Sequence, residues 1–189
     1  MTDTTSQEFF DRKYREHPDP WNFASSSYEQ GRYEAIYSAL SHRHFRRAFE
    51  PGCSIGSLTE RLAPLCDSLE AIDISPTAVE FARERCRHFL QAHFAQGSLP
   101  DAIPPGSFDL IVLSEIGYYF KEAQLLHLGN ELVKRLENGG ILLATHWLGH
   151  SEDHLLSGDR VHQILSSLSG LTHEQEQRHE NFRLDRWCR

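Results

Sequence analysis

The sequence predicts an α/β fold: a doubly wound, mostly parallel sheet of seven strands with helices on both faces. Three observations predict it. From Phe45 onward, short strand-like runs alternate with segments of helical period, the signature of successive strand–crossover–strand units. The two most apolar runs, Phe108–Leu113 and Ile141–Thr145, are rich in branched residues, as strands covered on both faces are. The last two candidates, Leu171–Gln177 and Phe182–Trp187, are polar. They read as edge strands in a hairpin, which puts one antiparallel strand near the carboxyl end. Right-handed crossovers restrict the rest to a doubly wound order.

Each element has a local reason. Gln7–His17 is a charged, partly aromatic helix ended by Pro18 and Pro20. In Tyr28–Leu40, residues Tyr33, Ile36, Tyr37 and Leu40 share one helical face. Arg46–Glu50 is the first strand, and Leu58, Leu62 and Leu65 mark the helix after it. Leu69–Ile74 is the second strand. Ser75-Pro76 then supplies an N-cap and a proline at the first helical position. Ala78, Ala82, Cys86 and Phe89 continue that helix, and Ala92–Ala95 is the third strand. Phe108–Leu113 is the fourth strand. Leu125, Leu128, Leu132 and Leu136 form a helix that stops at Asn138-Gly139-Gly140. Ile141–Thr145 is the fifth strand, and Gly158–Leu168 is a helix. The expected organisation is a single domain, with residues 1–44 as a helical cap or lid and 45–189 as the core.

Composition narrows the function classes. The 189 residues carry 19 Lys+Arg against 27 Asp+Glu, a formal charge of −8, with 39% hydrophobic and 24% charged residues. That balance suits a globular chain and opposes general binding to phosphate backbones, so no nucleic-acid partner is expected. No apolar run approaches the roughly 20 residues of a membrane span, and the polar start at Met1–Ser6 lacks the features of a signal peptide. Cys53, Cys66, Cys86 and Cys188 form no CxxC pair. They read as reduced, mostly buried thiols of a cytoplasmic protein.

The candidate chemistry sits after the first strand. Glu50-Pro51-Gly52-Cys53-Ser54-Ile55-Gly56 follows a strand and opens a helix, and Asp73 ends the next strand. Ligands of doubly wound sheets bind at the carboxyl ends of strands. Glycines let the backbone approach a ligand closely, and an acid at the end of the second strand can accept both hydroxyls of a ribose. A dinucleotide fingerprint, G-x-G-x-x-G, does not fit. Gly52–Gly56 also satisfies G-x-S-x-G, a nucleophile elbow with Ser54 as nucleophile and Asp109 or Glu115 plus His146 as partners. A hydrolase elbow follows several strands, however, and only about 45 mostly helical residues precede this one.

The pattern E-x-G-x-x-x-G resembles motif I of class I S-adenosylmethionine-dependent methyltransferases, with Ser54 where that family usually has glycine. Asp73 matches the family's ribose-binding acid, and Gln96-Gly97-Ser98-Leu99 lies where it places a residue beside the adenine amine. Phe108–Glu115 resembles its fourth-strand motif. Asp19-Pro20-Trp21, Tyr28–Tyr33, Leu58–Cys66 and Glu115-Ile116-Gly117-Tyr118-Tyr119 resemble the nodulation protein S type more narrowly. That type methylates the free amine of a de-N-acetylated glucosamine at the end of a chito-oligosaccharide.

The resemblance implies a Rossmann-like fold, S-adenosyl-L-methionine as cofactor and an amine acceptor, either a small molecule or an amino sugar. It implies cofactor binding by Trp21, Tyr28, Arg32, Glu50, Gly52, Ser54, Gly56, Asp73, Ile74, Gly97, Ser98, Ser114 and Glu115. Asp73 would grip the ribose, Glu50 the ammonium and Arg32 the carboxylate, with Trp21 and Tyr28 closing over the sulfonium. Glu115, Tyr119 and His146 are the catalytic candidates for orienting the amine or taking its proton. The acidic surface suits a cationic acceptor. A monomer or weak dimer is expected. An O-methyltransferase and a cofactor-binding regulator without activity are the alternatives. His146, His150 and His154 are spaced for one helical face, but Gly149 and the polar residues between them favour a loop, so no metal is expected.

Overall fold

The computed structural model describes residues 6–189; the start at Met1–Thr5 lies outside the described residues. Two compact units divide the chain, one ending at Ala102 and the other spanning Ile103–Arg189.

The first unit holds α1 (Gln7–Glu16), α2 (Ser27–Leu40), β1 (Ala48–Pro51), α3 (Thr59–Leu62), β2 (Leu69–Asp73), α4 (Pro76–Arg85) and β3 (Ala92–Gln96). Its strands run parallel in the order β3-β2-β1, with Glu50 beside Ala71 and Asp73 beside Gln96. Local chemistry sets the helix starts. The Ser6 hydroxyl accepts from the Phe9 N–H at 3.2 Å, and the Ser75 hydroxyl accepts from the Ala78 N–H at 3.1 Å. The helix read through Leu58–Leu65 is shorter than the spacing suggests. Pro64 lacks an N–H to continue the ladder, and Ala63–Leu65 tightens into a 3-10 turn. β1 begins two residues later than expected, because Phe45 makes only an isolated bridge to Cys66. Cys53, Cys66 and Cys86 are buried thiols, and Cys188 is half-buried.

The second unit holds β4 (Phe108–Ser114), a 3-10 turn (Gly117–Tyr119), α5 (Glu122–Arg135), β5 (Leu136–Trp147), α6 (Gly158–Ser166), β6 (Thr172–Arg178) and β7 (Phe182–Cys188). The order is β4-β5-β7-β6, parallel between β4 and β5 and antiparallel on both sides of β7. Every residue of β4 is buried, as its apolar run requires. The seven strands, and the single antiparallel strand near the carboxyl end, match the expected class.

Two expectations fail here. Asn138-Gly139-Gly140 is not a turn between helix and strand. The helix ends at Arg135, Leu136 already pairs with Phe108, and a register shift before Leu110 absorbs the extra residues. Gly139 has φ 74° and its N–H donates to the Arg189 carbonyl at 2.7 Å. β7 is not an edge strand either. Leu184, Asp185 and Trp187 are buried between β5 and β6. Its charges misled the reading because they are paired locally: Arg183 with Asp185 at 2.8 Å and Arg186 with Glu174 at 3.2 Å. No helix among the described residues is long and apolar enough to cross a membrane.

Glycine positions give a direct check. Gly56 has φ 81°, and an added Cβ would meet Ala82 at 3.1 Å and the Cys86 sulfur at 3.2 Å. Gly31 lies on α2 with nothing within 4 Å of its added Cβ. Urea unfolding should show Gly56→Ala destabilised by about 1–3 kcal/mol and Gly31→Ala stabilised by about 0.5–1 kcal/mol. Equal stabilities would contradict the assigned backbone geometry.

Candidate active site

Asp73 organises the loop after β1. Its Oδ2 accepts the Ser54 N–H at 2.9 Å and its Oδ1 accepts the Ser75 N–H at 2.9 Å. Its main-chain carbonyl accepts the Gly97 N–H at 2.9 Å. One residue therefore ties together the loop after β1, the start of α4 and the loop after β3. The Ile72 carbonyl receives the N–H groups of Gly52 at 2.7 Å and Cys53 at 2.9 Å. The chain can turn so sharply because Gly52, Ser54 and Gly56 all have positive φ, at 77°, 50° and 81°. Ser54 is the costly one, as a residue with a Cβ in the left-handed region.

Ser54 is also held from outside the loop. The Tyr14 hydroxyl on α1 donates to its Oγ at 2.6 Å. Asp11, one turn earlier, accepts from the Ser75 hydroxyl at 2.7 Å and the Thr77 N–H at 3.1 Å. Tyr14 and Asp11 were missed in the sequence. Their only sequence signal is a shared face of the first helix, and their partners are more than 39 residues away. The elbow reading of Ser54 finds no support. Its hydroxyl faces a phenol, and both ring nitrogens of His146, the imidazole proposed to serve it, are engaged elsewhere.

The two acids of this unit are buried. Desolvation raises Asp73 to about 6 despite the opposing backbone N–H groups of Ser75, Ser54 and Ile74. Desolvation raises Glu50 to about 8; the Thr59 hydroxyl opposes this and the Asp73 charge adds to it. Glu50 Oε2 is buried and has no hydrogen-bond partner among the described residues. A cationic group or a donor placed beside Glu50 would relieve both conditions.

The other expected cofactor residues of this unit sit on α2, in the segment before it and just past the ends of β2 and β3. Arg32 is not a solvated helix residue. It is buried, forms an ion pair with Glu29, and its guanidinium lies 5.9 Å from the Phe23 ring and 5.5 Å from the Tyr33 ring. Trp21 stacks on Phe23 at 5.6 Å and meets the edge of Tyr14 at 5.5 Å, against the Tyr14–Ile55–Ala78 cluster. Tyr28 and Ile74 are half-buried. Gly97 is packed so closely that an added Cβ would lie 2.3 Å from Ala102 Cβ, while Ser98 is exposed.

In the second unit, Ser114 ends β4 and Glu115 follows with φ 58°. The Glu115 carboxylate accepts the Trp147 N–H at 2.8 Å and the Tyr118 hydroxyl at 2.5 Å. Tyr119 packs at the edge of Tyr118 and of His154; burial pushes its phenol up, and Asp153 and Glu115 add to that. His146 is fully buried. Its Nε2 accepts the Gly117 N–H at 3.0 Å and its Nδ1 lies 3.1 Å from His162 Nε2. Residues 148–157 form no helix, so His146, His150 and His154 do not share a helical face. His154 instead stacks on Tyr118 at 3.7 Å.

The model of the nodulation protein S (NodS) family matches residues 3–152. The chain belongs to this family. Nodulation protein S of Bradyrhizobium diazoefficiens is 34% identical over 58% of this chain, and that of Sinorhizobium fredii is 31% identical over 65%. These alignments cover 53% and 57% of the relatives, so the chain spans about half the length of the curated NodS proteins it matches. The crystal structure of N-methyltransferase NodS from Bradyrhizobium japonicum WM9, in complex with S-adenosyl-L-homocysteine, is 26% identical, with a TM-score of 0.84 over 97% of both chains. A solved chain from Pseudomonas syringae is 36% identical over 87% of this chain, with a TM-score of 0.77. The fold is therefore that of the NodS methyltransferases, Rossmann-like as the resemblance implied.

Burying a carboxylate that titrates near 8 makes Glu50 costly to keep. Glu50→Gln should raise the melting temperature of the ligand-free protein at pH 7. The unfolded chain gains by ionising Glu50 above 4.5 while the folded chain holds it protonated up to about 8. The gain should vanish below pH 4.5, grow as pH rises towards 8 and then level off. Thermal melts across this range check it, and a variant less stable at pH 7 to 8 would contradict it.

Proposed function

We propose that the chain is an S-adenosylmethionine-dependent methyltransferase that methylates an amine nitrogen, on a small molecule or a de-N-acetylated amino sugar. The observation that carries the reading is the buried Asp73 carboxylate, gathering two loop N–H groups at the end of β2 next to the glycine turn. Asp73 Oδ2 accepts the Ser54 N–H and Oδ1 the Ser75 N–H, and a carboxylate oxygen can accept a further hydrogen bond from a ribose hydroxyl. Glu50 supplies a buried carboxylate oxygen for the ammonium of the methionine moiety, and the turn at Gly52, Ser54 and Gly56 gives close backbone approach. Arg32, Trp21 and Tyr28 complete the cofactor side. Family membership and the NodS structure with S-adenosyl-L-homocysteine support the same reading.

Bound, the cofactor supplies a methyl group activated by a sulfonium. The acceptor nitrogen needs a lone pair and alignment more than strong acid–base catalysis. Glu115 is the carboxylate for the amine: it orients the acceptor ammonium and takes the proton that the nitrogen must lose to expose the lone pair that displaces the thioether from the methyl group. Tyr119 orients the same group through its hydroxyl. The formal charge of −8 favours approach of a cationic acceptor.

The test combines binding and turnover. Asp73→Ala should weaken S-adenosyl-L-homocysteine binding by more than about tenfold without unfolding the protein. Radiolabelled methyl transfer should appear on glucosamine oligomers or simple amines. Activity confined to phenols or carboxylates would overturn the amine assignment. Unchanged affinity in Asp73→Ala would overturn the ribose role.

A further inference from the structure

We propose that Asp185, His162 and His146 form a fixed hydrogen-bond relay that positions the Glu115–Tyr119 turn, making the two histidines positioning residues for methyl transfer. The inference rests on the amine-methylation reading for its catalytic consequence, but the relay itself stands on geometry within the second unit.

The proton positions follow from the donor at one end and the acceptor at the other. The Gly117 N–H can only donate, so His146 Nε2 must accept at 3.0 Å. The His146 proton then sits on Nδ1 and donates to His162 Nε2 at 3.1 Å. That leaves the His162 proton on Nδ1, donating to Asp185 Oδ2 at 2.6 Å. Every position in the chain is determined, with both imidazoles neutral and both in the Nδ1–H tautomer. His146, His162 and Asp185 are all fully buried. Asp185 is anchored in turn by the Arg183 Nε at 2.8 Å and the His173 Nε2 at 3.2 Å.

The fold makes room for this relay. An added Cβ on Gly117 would lie 2.7 Å from His146 Nε2 and 2.5 Å from Val161, so only glycine lets that N–H reach the imidazole. An added Cβ on Gly158 would lie 2.4 Å from the Trp147 carbonyl oxygen and 3.3 Å from His146 Cβ. The turn held at Gly117 also carries Glu115 and Tyr118, whose hydrogen bond closes it. The Tyr118 carbonyl accepts from Leu155 at 2.8 Å and Leu156 at 3.2 Å. His146 therefore acts on the reaction through the Gly117 amide, not as a base on the acceptor.

An added proton breaks the chain, because it must face either the Gly117 N–H or the other imidazole. The charged and titratable groups around the relay are Asp185 and Arg183 on β7, Asp159 on α6, His173 and Glu176 on β6, and Glu115 and Tyr118 on the turn. Burial outweighs the acids and holds His162 below its ordinary 6.5. Burial pushes Asp185 up, but hydrogen bonds from His162 and Arg183 outweigh it and keep the carboxyl below its usual range.

Two measurements test the relay. Nitrogen-15 NMR of the histidine-labelled 189-residue chain at pH 7.5, assigned with His146→Gln and His162→Gln, should show both rings neutral and in the Nδ1–H tautomer. An Nε2–H tautomer or a charged ring at either position would overturn the relay, whether or not the chain methylates anything. In kinetics, His146→Leu should lower kcat roughly tenfold or more, with S-adenosyl-L-homocysteine affinity within about twofold of the parent. His146→Gln, whose amide oxygen can still accept from Gly117, should recover part of the loss. A His146→Leu variant that binds the ligand normally and keeps its kcat would overturn the positioning role.

Discussion

The glycine turn after β1 depends on the Asp73 carboxylate being held in the protein interior by backbone N–H groups. Burying a charge is unfavourable unless it is paired and hydrogen-bonded. Here the partners are the Ser54 and Ser75 amides at 2.9 Å each. Desolvation still wins, and the group stays near 6 rather than at its ordinary 3.8. The same two bonds decide the path of the chain. One holds Ser54 in a left-handed conformation and the other starts α4. Loop shape and acid position are thus coupled through one residue. α1 adds a brace through Tyr14 and Asp11, which reach the same two serines.

The second unit solves a different problem with the same device, a buried carboxylate at the end of a hydrogen-bond chain. Asp185 is charge-paired with Arg183 and accepts a hydrogen bond from neutral His162, so its burial is tolerable. Through two imidazoles it fixes an amide on a turn that also carries Glu115. Glu115 is itself in the left-handed region and holds the Trp147 N–H and the Tyr118 hydroxyl. Strained residues held by several partners are a recurrent feature of functional sites. Ser54 and Glu115 share this state, each just past the carboxyl end of a parallel strand.

The sequence was most legible where chemistry is local. Ser75-Pro76 announced a helix start, and the helix begins there. The spacing from Glu50 to Gly56 and on to Asp73 located the loop and the acid that holds it. Long-range pairing was not legible. His146, His162 and Asp185 are separated by 16 and 23 residues and meet only because β7 lies beside β5. β7 read as a polar edge because arginines and acids that neutralise one another in space look like solvated charges in a row. Arg32 likewise looks like a solvated charge in a row but is buried, since its partner Glu29 and the rings of Phe23 and Tyr33 make its burial tolerable. The relation between α5 and β5 was hidden because Gly139 and Gly140 usually punctuate elements, and here they sit inside a strand at a register shift.

The most direct test of the central claim is calorimetric titration with S-adenosyl-L-homocysteine at a series of pH values from 5 to 8. Measured in Glu50→Gln, which removes the carboxyl that titrates near 8, affinity should be constant well above pH 6 if the ionised Asp73 carboxylate grips the ribose. It should weaken by up to about tenfold per unit below that point, and the acid dependence should disappear in Asp73→Ala. No binding at millimolar ligand, or an affinity that does not change between pH 5 and 8, would contradict the assignment.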